Sequence, residues 1–144
     1  MKKVVTFGEV MVRLAPSEHY RFTQACPGSM DLTFGGAESS VAASVSILGG
    51  SSRFVSALPK HAIADAFVRQ MRGFKVDVDH VLRRETGRFG IYYVETGANQ
   101  RPSRVIYDRD YSSVSMCPGE EYNWDAIFAA VSYTHLTLPT NGCV

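Results

Sequence analysis

Cysteine is scarce in this chain: three in 144 residues, Cys26, Cys117 and Cys143, no two of them close in sequence. An odd, scattered set argues against a disulfide framework and against a zinc knuckle. The four histidines, His19, His61, His80 and His135, show no ligand spacing either. No apolar run is long enough to cross a membrane. Charge of one sign is missing too. Fifteen basic residues against fourteen acidic ones leave a net charge of +1, which excludes a basic surface built for nucleic acid and an acidic tail. Met1-Lys2-Lys3 starts like a signal peptide, but the apolar stretch behind it is far too short for one, so a cytoplasmic protein is expected. There is no internal repeat and no low-complexity segment. What remains is 45% apolar and 20% charged residues, a globular composition, over a length that suits one domain.

Val4 to Phe7 is a continuous short apolar run, as in a strand covered on both faces. Residues 10–34, broken by Pro16 and Pro27, suggest short strands and turns rather than a helix. Gly35-Gly36 opens a small-residue helix over 37–48, with an apolar stripe at Val41, Val45 and Leu48 and the pair Gly49-Gly50 as its stop. Arg53 to Leu58 gives a second strand. Ile63, Phe67 and Met71 mark a second helix that ends near Gly73. Strand and helix in alternation predict an α/β fold with a parallel sheet. Residues 76–82 add a short extended stretch. Residues 89–95 and 104–108, joined by a polar loop, form a β-hairpin of the kind that makes an edge or a lid. Asn123 is an N-cap for a helix over 124–131.

From Ser132 the pattern changes. Tyr133 to Gly142 carries no helical stripe and follows a helix of about two turns. An α/β domain is expected to continue there with a strand and further βα units. Residues 132–144 are therefore expected to be foreign to the domain, an artefactual end. The alternative is a real short strand followed by a tail.

The most specific motif is Phe34-Gly35-Gly36-Ala37-Glu38-Ser39-Ser40-Val41-Ala42. Glycines at a helix start let the backbone approach a ligand, and the free N–H groups of the first turn can meet its oxygens. Alone, such a pair serves a tight turn as often as a ligand. Here it stands in an ordered set: Gly8-Glu9 after the first strand, the glycine pair, Gly90-Ile91-Tyr92, and Arg101-Pro102-Ser103-Arg104-Val105-Ile106-Tyr107-Asp108-Arg109. Over residues 1–131 this set resembles the ribokinase-like (PfkB) carbohydrate kinases, and within them the 2-keto-3-deoxygluconate kinases.

The resemblance implies a Rossmann-like α/β/α sandwich, here truncated, with a small β-sheet lid drawn from about 10–34 and 88–108. It implies a kinase that moves a phosphoryl group from ATP, with Mg²⁺, to a hydroxyl of a sugar or sugar acid, and that works as a homodimer. By motif, the substrate contacts are Gly35, Gly36, Tyr92, Tyr107 and Arg109. A tyrosine offers a sugar both a ring face and a hydroxyl, and arginine's fork suits a carboxylate. Tyr92 and Tyr107 also read as ordinary strand aromatics, and Arg109 as a partner of Asp108 or Asp110. Glu9 and Asp31 are further candidates for substrate hydroxyls.

Two departures stand out. Ser40 occupies a position where the family usually has asparagine. The Gly-Ala-Gly-Asp loop, whose aspartate is the family's catalytic base, is absent. No catalytic residue and no nucleotide contact is therefore assigned here, and the chain alone is expected to be inactive and marginally stable. A fructokinase or other PfkB sugar kinase is the alternative within the class. Outside it stand a non-catalytic sugar-binding fragment and a non-functional truncated product.

Overall fold

The computed structural model describes residues 3–129 and 131–136. Its first sheet is parallel and holds the fully buried strand. β1 (Lys3–Phe7) and β4 (Ser52–Pro59) pair in parallel, Val5 against Arg53 and Phe7 against Val55. β5 (Val81–Arg84) extends the sheet beyond β4, β8 (Val131–Leu136) lies on the other side of β1, and the strand order is β5-β4-β1-β8, all parallel. Every residue of β4 is buried. Its two faces feed two cores, as a strand covered on both sides must. Phe54 and Leu58 join Phe67, Met71 and Phe89 on one side. Val55 and Ala57 join Val5, Tyr122 and Ile127 on the other.

The second sheet has the order β3-β2-β6-β7 and is mixed. β2 (Met11–Ala15) runs antiparallel to β3 (Asp31–Gly35) and parallel to β6 (Gly90–Glu95). β6 and β7 (Arg104–Asp108) form the antiparallel hairpin expected from their sequence. Between β2 and β3 the chain makes a single helical turn, α1 (Phe22–Ala25), where strands and turns alone were expected. Its acceptors explain it: Gln24 Oε1 receives the Arg21 N–H at 3.0 Å, and Glu95 Oε1, far away in sequence, receives the Phe22 N–H at 2.9 Å.

The helices follow from their ends. α2 (Ala37–Ile47) stops in a Schellman motif: Gly49, at φ +89°, donates to Ser46 O at 3.1 Å, and Gly50 donates to Val45 O at 2.9 Å. The expected stripe is on the wrong side, because Val41 and Leu48 are exposed and the buried positions are Ser39 and Ala42. Small side chains let α2 lie close to β4, where Ser52 Oγ donates to Ala42 O at 2.7 Å. A bulky stripe would hold the two apart. α3 (Ala62–Gly73) is capped by His61, whose Nδ1 accepts the Ala64 N–H at 3.3 Å. Its buried residues are Ala64, Phe67 and Met71, while Ile63, expected in that stripe, faces outward.

The stretch expected to be extended at 76–82 makes a single bridge to β4 at Asp77 before its strand begins at Val81 and pairs with β4 again. A 3-10 turn at Gly119–Glu121 and helix α4 (Trp124–Phe128) cover the second core. Asn123 caps α4 as expected, accepting the Ala126 N–H at 3.1 Å. The helix is shorter than the 124–131 predicted. Arg53 Nη1 donates to Ala126 O at 3.0 Å and to Ile127 O at 2.9 Å, taking carbonyls that a longer helix would need for itself. Val131–Leu136 forms β8, parallel to β1. The stretch expected to be foreign to the domain thus includes a paired strand as far as Leu136, and its residues 137–144 lie outside the described residues. Among the described residues no helix is long and apolar enough to cross a membrane.

Candidate functional site

Strand register assembles the site. Across the second sheet, Thr33, Arg13, Tyr92 and Tyr107 stand side by side on β3, β2, β6 and β7. One step along, Gly35, Met11 and Gly90 form the next row of the same face. Arg109 follows β7 and comes within reach of Gly90: a Cβ added there would lie 3.3 Å from Arg109 Cβ. Phe34, Val12 and Ile91 belong to the opposite face, which packs against the first core. One face of the lid is therefore anchored, and the other carries tyrosine and arginine.

The glycines are needed for close approach. A Cβ on Gly35 would lie 2.1 Å from the Tyr92 hydroxyl, so Tyr92 lies directly over the glycine. Gly36 has φ −177°, an extended conformation open to any residue, so its reason is space. A Cβ there would be 2.6 Å from Glu9 O and 3.1 Å from Val10 Cα, both backbone atoms that cannot swing away. The chain leaving β1 therefore presses against the start of α2. The Tyr92 and Tyr107 rings lie 6.1 Å apart at 31°. Tyr107 is 62% exposed, far more than strand packing needs.

Arg109 pairs with Glu9 through Nη2 and Oε2. Neither Asp108 nor Asp110 is its partner. Asp108 instead takes a two-pronged contact from Arg88, at 2.8 and 2.6 Å, which raises the Arg88 pKa and lowers that of Asp108. Register alternation explains the difference. Asp108 pairs with Ile91 on the anchored face, and Arg109 falls on the other.

Gly35, Gly36, Tyr92, Tyr107, Arg109 and Glu9 thus come together. Asp31 does not: it is exposed at the far end of β3, four residues from Gly35 and therefore about 13 Å away. Ser40 is exposed on α2, with no side-chain hydrogen bond to any described residue. Arg13 went unnoticed in the sequence, yet it stands beside Tyr92 in the central row. Its signal was present: a charged residue at the middle of the strand Met-Val-Arg-Leu-Ala, opposite in phase to buried Val12.

The described residues thus form a parallel α/β body and a mixed four-stranded lid, one face of which holds tyrosines and arginines over a glycine pair. The chain belongs to the pfkB family of carbohydrate kinases, whose model matches residues 1–140. It is 36% identical over 138 residues to the 2-dehydro-3-deoxygalactonokinase of Haloferax volcanii, covering 95% of this chain and 42% of that protein. It superposes on the crystal structure of the 2-dehydro-3-deoxygluconokinase of Thermotoga maritima with a TM-score of 0.88 and 42% identity, over 94% of this chain and 40% of that one. A PfkB family carbohydrate kinase from Listeria grayi gives a TM-score of 0.86 and 30% identity, over 93% and 41%. The fold is the N-terminal portion of the ribokinase-like α/β fold, and the chain spans about two fifths of the length of these relatives.

Proposed function

We propose that residues 1–131 supply the sugar-side wall and lid of a kinase that phosphorylates a hydroxyl of a 2-keto-3-deoxy sugar acid. The observation that carries this reading is the shared lid face of Tyr92, Tyr107 and Arg109 over Gly35 and Gly36. The tyrosine rings and hydroxyls suit a polyol. The Arg109 guanidinium has donors beyond the one given to Glu9, and these suit a carboxylate.

ATP is the phosphoryl donor in this reading, with Mg²⁺ neutralising phosphate charge. The described residues do not fit the metal. No three His, Cys, Asp or Glu side chains among them form a metal-binding cluster, and Glu9, the acid nearest the glycines, is committed to Arg109. In this reading nucleotide, metal and catalytic base belong to the rest of the kinase. Its homodimeric state is proposed on Leu32 and Ile106, two apolar side chains left exposed at the flanks of the lid face turned away from the tyrosines.

The test is a coupled phosphorylation assay on the complete kinase carrying this segment, with 2-keto-3-deoxygluconate, its galactonate epimer and fructose. The sugar acids are expected to give the higher kcat/KM, and the 144-residue chain alone no turnover. Fructose phosphorylated as well as the acids would overturn the substrate class.

A further inference from the structure

Glu9 lies in the link between the body strand β1 and the lid strand β2, and Arg109 follows β7 on the far side of β6. To reach Arg109, the Glu9 side chain has to cross β6, and it does so over Gly90. A Cβ on Gly90 would lie 2.7 Å from Glu9 Oε1 and 3.3 Å from Arg109 Cβ. Any larger residue would push the carboxylate aside. A glycine in a strand often marks a close approach; at Gly90, the first residue of β6, what approaches is this ion pair.

The two carboxylate oxygens differ. Oε2 pairs with Arg109, whereas Oε1 is buried without a hydrogen-bond partner, the only such carboxylate oxygen among the described residues. The Glu9 side chain is 12% exposed and Arg109 is 42% exposed. An ionised carboxylate accepts hydrogen bonds and never donates them, so a buried one with a free oxygen calls for a donor. The lid face in front of it carries Arg13 beside Tyr92 and Tyr107, the tyrosines assigned above to a polyol.

We propose that Glu9 is a positioning and specificity residue. Its Oε2 fixes the Arg109 fork toward the ligand carboxylate, its Oε1 accepts a ligand hydroxyl, and Gly90 keeps the path between them open. The proposal rests on the sugar-acid reading above.

The test uses Glu9→Gln, Gly90→Ala and the double variant in the complete kinase, with KM and kcat measured for a 2-keto-3-deoxy sugar acid. Glutamine keeps size and one acceptor but replaces Oε1 by a donor. Each single variant is expected to raise KM roughly tenfold with kcat within about twofold. The double variant is expected to be no worse than either single one, because both act through one contact. Melting temperature should stay at the parent value for Glu9→Gln. An unchanged KM, a melting temperature that falls without a KM change, or additive effects in the double variant would each overturn the proposal. If the parent kinase takes only neutral sugars, the sugar-acid reading fails by itself. The same KM increase on a neutral sugar would then retain the hydroxyl contact and discard the Arg109 half.

Discussion

β4 and β7 are both short strands paired to neighbours, yet every residue of β4 is buried while Arg104 to Tyr107 of β7 are exposed. β4 carries Phe54, Val55, Ala57 and Leu58, which disappear into two cores. β7 carries Val105, Ile106 and Tyr107 and leaves them in solvent. An apolar side chain therefore does not by itself decide burial. The two strands differ in what covers them: helices on both sides of β4, and on the tyrosine face of β7 no described element. A strand that keeps aromatic and cationic side chains uncovered gains little folding energy from them, so their reason is sought in a ligand or a partner.

If the body is built for packing, its centre is where substitution costs most. Phe54 is fully buried, with its ring 5.8 Å from that of Phe67. Phe54→Ala is expected to lower unfolding free energy by about 3–5 kcal/mol in urea titration. A cost below about 1 kcal/mol would mean that β4 is not the centre of the core.

The corresponding test in the lid is Arg109→Ala. A hydrogen bond to a charged group contributes about 1.5–3 kcal/mol, so kcat/KM for the sugar acid should fall roughly ten- to a hundredfold at about 1.4 kcal/mol per decade. Fructose, without a carboxylate, should lose much less. Equal losses on both substrates would assign Arg109 to holding the lid through Glu9 rather than to the carboxylate.

Acid sharpens the comparison, because the body holds a carboxylate drawn well below its ordinary range. Burial raises the Asp77 pKa, but the Lys3 ammonium, the Asp79 N–H and Arg53 together outweigh it and bring the value from 3.8 down to about 2. Lys3 Nζ is 2.6 Å and Arg53 Nε 2.8 Å from Asp77 Oδ2. A lowered folded pKa means stability present above pH 4 and lost as pH falls through 2, on the order of 2 kcal/mol. Unfolding free energy measured from pH 5 to pH 2 should show that slope, and Asp77→Asn should remove it. A slope that survives in Asp77→Asn belongs to other carboxylates.

The same contrast explains what the sequence made legible. β1, the Gly49-Gly50 stop of α2 and the β6–β7 hairpin depend on local rules, and all three are found. The glycine pair, both tyrosines and Arg109 meet on one face because alternation along a strand is itself a local rule. The misses depend on distant partners. The buried side of α2 is decided by Ser52 and its approach to Ala42. The turn at Phe22 needs Glu95, and α4 is cut short by Arg53. Arg109 finds Glu9, a hundred residues away, in preference to its sequence neighbours.

Tyr107 gives the smallest effect and the finest division between packing and recognition. It is exposed, its ring lies 6.1 Å from that of Tyr92, and no described residue receives or gives a hydrogen bond at its hydroxyl. Tyr107→Phe removes only that hydroxyl. Exposed substitutions away from special features change stability by no more than about 0.5 kcal/mol, and none is expected here beyond that. A neutral hydrogen bond to a ligand contributes about 0.5–1.5 kcal/mol, so KM for the sugar acid should rise roughly two- to twelvefold. Both quantities are measured on one preparation, by thermal unfolding and by steady-state kinetics. A fall in stability with KM unchanged would make Tyr107 a packing residue, and the lid would then differ from the body only in degree. A rise in KM with stability unchanged means that the hydroxyl acts only once ligand is bound, which no residue of β4 can do from inside the core.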